Sequence, residues 1–202
     1  YYGHVNEELI YNPIDSFKKI NYNNENCIKI IVPASIKEQK GHIKLLEALN
    51  KIEKSKFYSN ITIKINFFGS IFDYSNQLLK YIKKNNIKTE INFNGPVSQE
   101  NLFLEILKSD LVILPSTFEP LGAVILQSLA LNKHVLISKN TGLYNEISNF
   151  FHLSFKNGDY LDLYKSINYF INNKNSLNSI NQTKILKKFG MNNNVNTLIK
   201  YF

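Results

Sequence analysis

Short apolar runs alternate along the chain with longer stretches in which apolar residues recur every three or four positions. Ile28–Val32 (IKIIV) is a continuous apolar run stopped by Pro33, which predicts a buried strand. From Gly41 the spacing of Ile43, Leu46, Ala48, Leu49 and Ile52 predicts an amphipathic helix. Ile61–Phe68 (ITIKINFF) reads as a second strand ending at Gly69, and Tyr74–Lys84 as a helix with Leu78, Leu79 and Ile82 on one side. Ile91–Phe93 is a short strand closed by the turn residues Asn94-Gly95-Pro96. Ser98, with Glu100 and Asn101 behind it, starts a helix carrying Leu102, Phe103, Ile106 and Leu107. Leu111–Leu114 is another apolar strand, cut by Pro115. Then follow a helix from about Pro120 to Leu131, a strand His134–Ile137, a turn at Gly142, a short helix Tyr144–Ser148 and a strand Phe151–Phe155. From Asp159 to Phe202 the pattern is helical, interrupted by Asn172-Asn173 and Asn192–Asn194.

Strands alternating with helices, and continuous rather than alternating within themselves, argue for a parallel sheet covered on both faces. The expected fold class is α/β: a Rossmann-like, doubly wound parallel sheet over 28–174, entered by a segment 1–27 and followed by a C-terminal helical extension 175–202. No apolar run reaches the ~18 residues a membrane-spanning helix needs, and Tyr1-Tyr2-Gly3-His4 shows neither a charged n-region nor an h-region, so no signal peptide is expected. The first residue is Tyr1 rather than Met, as a piece of a longer protein would have it.

The chain carries 24 lysines and no arginine against 16 acidic residues, for a formal charge of +8. Asn, Ile and Lys dominate the composition, the residues of A- and T-rich codons, so the basic excess is a weak functional signal. It suits an anionic nucleotide or an anionic lipid surface, but a solvated lysine face is the default. No basic motif interleaved with aromatics points to nucleic acid. The single Cys27 excludes an internal disulfide framework and fits a reducing compartment. With four scattered histidines and one thiol, no metal site is expected. His42 and His134 read as loop or strand-edge residues.

In open parallel sheets ligands bind beyond the carboxyl ends of the strands, where loops and helix N-termini converge. The first strand is followed by Ala34, Ser35, Lys37, Lys40 and Gly41, and a lysine beside a glycine at a helix start suits a phosphate. By itself such a pair is most often a solvated turn. The strand Leu111–Leu114 is followed by Pro115-Ser116-Thr117-Phe118-Glu119-Pro120-Leu121-Gly122-Ala123, with Glu119 before a helix N-terminus, Gly122 allowing close approach, and Gln127 eight residues past Glu119, roughly two turns down the same helix. Both loops fall on one edge of one sheet, so together they outline a crevice. No G-x-G-x-x-G follows the first strand, which argues against a dinucleotide module.

These residues carry a resemblance. Lys40-Gly41-His42 with Leu45, Leu46, Glu47, Ala48 and Leu49 resembles a segment of the retaining GT-B glycosyltransferases of group 1 (family 4-like). Ile91–Val97 is similar to a second segment of that family. Ser109–Ser116 with Phe118–Gly122 is similar to a third, and His134–Ser138 with Gly142–Glu146 to a fourth. Ile10–Asp15 resembles the link into the C-terminal domain of such enzymes, and Phe189-Gly190-Met191 with Tyr201 the helix that leaves it.

The resemblance implies the donor-binding half of a hexosyltransferase whose acceptor half precedes this chain. The expected partners are a nucleotide-sugar donor (a UDP-sugar favoured, GDP-mannose the other candidate) and a glycan or lipid-linked acceptor. The expected place is the cytoplasm, with peripheral contact at the inner face of the cell membrane, in polysaccharide biosynthesis. No metal and no cofactor is implied. Lys40 would neutralise the diphosphate, with Ser35, Lys37 and Gly41 around it. Glu119 would hold sugar hydroxyls, the backbone at Leu121, Gly122 and Ala123 would donate to sugar and phosphate oxygens, Gln127 would meet the ribose, and Gly95, Pro96 and Val97 would border the base.

Two positions depart from the family pattern. Gln127 stands where a glutamate is usual, a change from a charge-assisted to a neutral hydrogen bond worth about 1 kcal/mol. Ser35 stands where an arginine is common, which removes a phosphate clamp worth on the order of 1–3 kcal/mol unless Lys37 swings in. These departures suggest an alternative, a degenerate domain serving as a non-catalytic scaffold or activating subunit.

Overall fold

The computed structural model describes residues 27–55, 61–120, 122–150, 153–177 and 184–185. The entry segment and its Ile10–Asp15 link, Leu121, and most of the C-terminal extension with Phe189–Met191 and Tyr201 lie outside the described residues.

Among the described residues up to 177, six strands alternate with six helices. In chain order these are β1 (Cys27–Pro33), α1 (His42–Glu53), β2 (Thr62–Phe68), α2 (Tyr74–Asn85), β3 (Glu90–Phe93), α3 (Gln99–Lys108), β4 (Leu111–Leu114), α4 (Ala123–Ala130), β5 (His134–Ser138), α5 (Tyr144–Ile147), β6 (Leu153–Phe155) and α6 (Tyr160–Asn173). A 3₁₀ turn, Glu38–Lys40, precedes α1, and another, Ser148–Phe150, follows α5. All strands pair in parallel, in the order β3-β2-β1-β4-β5-β6. This is the expected Rossmann-like architecture, and most element boundaries fall within two residues of those read from the apolar pattern.

The order follows from the sequence. The central strands β1, β4 and β5 are nearly continuous Ile, Leu and Val, and almost every residue in them is buried. The edge strand β3 is only half-buried. Right-handed crossovers place α1 and α2 on one face and α3, α4 and α5 on the other. α6 comes back from β6 to pack along α1. Local chemistry sets the helix starts: Ser98 Oγ accepts from Asn101 N–H, and Asp159 Oδ1 accepts from the N–H groups of Leu161 and Asp162.

The chain runs outward from β1 to β3, crosses back, and runs outward again from β4 to β6. β1 and β4 are therefore neighbours whose following helices lie on opposite faces, leaving a crevice at their carboxyl ends. The candidate loop positions read from the sequence, Leu121 aside, lie on this edge.

One element differs. The helix expected from Pro120 begins at Ala123, because the preceding segment is tied elsewhere. Gly142 N–H donates to Glu119 O at 2.9 Å, and Gly122 N–H to Glu119 Oε1 at 3.3 Å, while Gly122 sits at φ +64° as the N-cap. Gln127 consequently lies about one turn into α4 rather than two turns below Glu119.

The core along α1 is packed from both sides: Leu45, Leu46, Ala48, Leu49 and Ile52 are wholly buried against the sheet and its neighbours. Truncating Leu49→Ala should cost about 2–5 kcal/mol of folding free energy, read as a lowered urea midpoint with an unchanged slope.

Candidate functional site

The loops after β1 and β4 are held against each other by main-chain contact. Gly41, at φ +68°, lies so close to the β4 loop that a Cβ there would sit 1.9 Å from the Pro115 carbonyl oxygen. Thr117 closes the same seam, its N–H and its hydroxyl both donating to Gln39 O, at 2.9 and 3.1 Å. The loop after β5 joins at Gly142, where a Cβ would fall 1.8 Å from the Pro120 carbonyl oxygen. On the other side Gly69 closes on the main chain of Ala34 and Ser35, and its N–H donates to Gly95 O at 2.9 Å.

Within this frame Lys40 and Glu119, 79 residues apart in sequence, meet: Lys40 Nζ lies 2.6 Å from Glu119 Oε2. The side chains keep only 24% and 15% of their exposure, so the pair is less screened than a surface bridge yet still open to a ligand. Glu119 Oε1 faces the N-terminus of α4, accepting from Gly122 N–H. The next N–H groups, of Ala123 and Val124, have no acceptor within the helix. Ala123 is exposed and Gln127 half-buried. An ammonium, a carboxylate and a helix N-terminus thus converge at the switch point, a constellation able to bind an anion beside a polyhydroxylated group.

The other expected residues are placed as follows. Ser35 is half-buried at the end of β1 and carries no charge into the crevice. Lys37 does not turn toward Lys40; its ammonium stands 4.6 Å over the Phe72 ring, in the loop after β2. Gly41 makes the loop contact, and its own N–H donates to Glu38 O at 3.0 Å. Gly95 is buried, at φ +71°, while Pro96 and Val97 are exposed on the same edge. Leu121 lies outside the described residues.

His42 is not a loop or strand-edge residue. It opens α1, has no exposed surface, and packs edge-on against Phe67 with ring centroids 5.1 Å apart. Neither ring nitrogen makes a well-formed hydrogen bond. Burial lowers its pKa from 6.5 to about 4, opposed in part by the nearby main chain of Ala34 and Lys37 and assisted by the Lys40 charge. His134, at the start of β5, packs edge-on to Phe170. Sequence reasoning also passed over Thr117, whose role is the seam with Gln39, and Phe118. Phe118, 67% exposed, is held between the tied residues 117 and 119. No local pattern marks the Thr117 seam, because it depends on a loop far away in sequence. Among the described residues no three His, Cys, Asp or Glu side chains gather as a metal site would require, and no helix is long and apolar enough to cross a membrane.

The sequence model of the family described as "Glycosyl transferases group 1" matches residues 13–187. The chain belongs to the group 1 glycosyltransferases. No curated protein sequence matches it. Among solved structures, a glycosyltransferase from Rickettsia africae superposes with a TM-score of 0.69 at 20% identity, over 87% of this chain and 47% of that one. Anabaena HepE, in complex with UDP and glucose, gives 0.65 at 19% identity, over 81% and 45%. The sucrose-phosphate synthase of Thermosynechococcus elongatus gives 0.65 at 16% identity, over 75% and 38%. At these identities the likeness establishes the shared glycosyltransferase fold. The chain spans less than half the length of each of these three structures.

Two measurements test this geometry. Gly41→Ala should destabilise the fold well beyond Gly158→Ala in urea titrations. Both glycines have positive φ, but Gly158 has open space where a Cβ would go, leaving only about 1–2 kcal/mol of left-handed strain. His42 ties stability to pH, because the unfolded chain takes up a proton near pH 6.5 that the folded protein refuses until about pH 4. Its contribution, on the order of 3 kcal/mol, is fully present above pH 6.5 and is lost as the pH falls toward 4. The fall in melting temperature across that window should be shallower in His42→Gln than in the wild type.

Proposed function

We propose that this glycosyltransferase chain is the donor-binding half of a metal-independent, retaining hexosyltransferase. In this reading it takes a nucleotide-sugar, a UDP-sugar before GDP-mannose, and serves transfer to a glycan or lipid-linked acceptor held by another part of the protein. The observation that carries the reading is the Lys40–Glu119 pair at the N-terminus of α4. It is supported by Anabaena HepE, a protein of like fold whose structures contain UDP or UDP-glucose.

The chemistry follows from charge. As the bond from the anomeric carbon to the diphosphate breaks, negative charge grows on the leaving phosphate oxygens. A preorganised ammonium and helix N-terminus stabilise that charge at little reorganisation cost. Lys40 fills the first role and the N–H groups of Ala123 and Val124 the second, so the positive field needed there comes from the protein itself. Glu119, released from Lys40, accepts hydrogen bonds from sugar hydroxyls and orients the ring. Gln127 meets the ribose, and the Gly95–Val97 turn borders the base. The acceptor attacks from the face the nucleotide leaves, which retains the anomeric configuration. The setting is cytoplasmic, peripheral to the membrane, in glycan assembly.

A second reading has its own observation. Lys37 rests on Phe72, Ser35 is neutral, and Gln127 adds no charge beside Lys40. A scaffold or activating subunit that has lost donor affinity would look similar.

Calorimetric titration with UDP, GDP and ADP, each with and without EDTA, separates the two. The enzyme reading expects one nucleotide to bind in the micromolar-to-millimolar range, unchanged by EDTA, and Lys40→Ala to weaken it by about 1.5–3 kcal/mol. Glu119→Gln should leave UDP binding intact or tighter, because the carboxylate no longer competes for Lys40, while abolishing transfer in the full-length protein. No binding of any nucleotide to the folded chain selects the scaffold.

A further inference from the structure

We propose that the groove formed by α1, α2 and α6 is a second binding site, for a phosphate-bearing ligand. It is an open groove of about 510 Å³ on the outward side of α1, turned away from the sheet that α1 covers. The outer residues of α1 make the floor, Tyr81 on α2 one wall, and Tyr160 and Tyr164 on α6 the other.

The argument rests on which polar groups are already committed. Glu47 is paired with Lys44 at 2.9 Å. Glu53 is turned to the start of β3, where it accepts from the N–H groups of Lys88 and Thr89 and from the Thr89 hydroxyl. Lys51 and Lys54 therefore have no carboxylate partner among the described residues. Lys51 instead lies 5.4 Å over the Tyr164 ring, as Lys44 lies 5.9 Å over Tyr160. The three phenol hydroxyls likewise have no protein partner among those residues. At the carbonyl end of α1, which would repel an anion, the Asn50 and Ile52 carbonyls are taken up by the chain itself. Lys54 N–H donates to Asn50 O and Ile52 O, and Ser55 donates to Ile52 O through both its N–H and its hydroxyl.

What remains uncommitted is a set dominated by donors, two ammonium groups and three phenols, around a cleft of ligand size. The complement of such a set is an anion with several acceptor oxygens. A phosphate fits, while the phenol rings give an apolar surface for the ring or chain that carries it. Two sources share this chemistry, a soluble phosphate compound and a phospholipid headgroup.

The experiment uses the whole chain carrying Lys40→Ala, so that the donor crevice cannot answer for the groove and the two readings fail separately. One arm titrates inorganic phosphate by calorimetry. The other measures co-sedimentation with vesicles of phosphatidylcholine alone and of phosphatidylcholine and phosphatidylglycerol in equal parts. Saturable binding in the first arm identifies a soluble phosphate compound, and binding only to the phosphatidylglycerol vesicles identifies a headgroup. In either arm Lys51→Ser with Lys54→Ser should weaken binding about tenfold or more, and Tyr164→Phe, which keeps the packing, several-fold. Lys64→Ser with Lys108→Ser, which removes the same charge elsewhere, should leave it within about twofold. Equal loss in the two double variants, or no binding in either arm, overturns the proposal.

Discussion

The crevice depends on a main-chain contact between two loops that are distant in sequence. Gly41 presses on the Pro115 carbonyl, and Thr117 ties the seam to Gln39. Hydrogen bonds between rigid main-chain segments carry little side-chain entropy, so they can hold position where long side chains alone would wander. Because the β1 and β4 loops are locked in this way, Lys40 and Glu119 meet with little freedom left to lose. Gly142 extends the same principle to the β5 loop, binding three loops into one rim.

On that rim the electrostatics are self-contained. An ammonium and a carboxylate at 2.6 Å in a partly dry crevice stabilise each other. The ion pair holds both side chains in place at the mouth of the crevice. His42 lies beneath the same loops as a neutral ring. Its burial next to Phe67 supports the segment from Ala34 to Lys40 from below, at the expense of two ring nitrogens without well-formed hydrogen bonds.

The helical layer on the far side of α1 is organised differently. There lysines and tyrosines face one another across an open groove, and the nearby carboxylates are occupied elsewhere. One helix thus serves two surfaces. Its first residues are bound into the crevice, and its outer face lines a cleft whose uncommitted groups are mostly donors.

Much of this was legible in the chain itself. The continuous Ile, Leu and Val runs at β1, β4 and β5 marked buried parallel strands, because only a strand covered on both faces is apolar at consecutive positions. Ser98 and Asp159 marked helix starts through bonds to their own next turn, and the residues following each strand pointed to the ligand edge. Contacts between segments far apart in sequence were not legible. The retreat of α4 to Ala123, the cation–π seat of Lys37 on Phe72, the burial of His42 and the pairing of Lys40 with Glu119 each rest on a partner from a different loop or strand. Local sequence determined the elements and their order, through propensity and the period of burial. Only the tertiary structure decided which side chains share a site, because that depends on how close two main chains can come once the sheet is assembled.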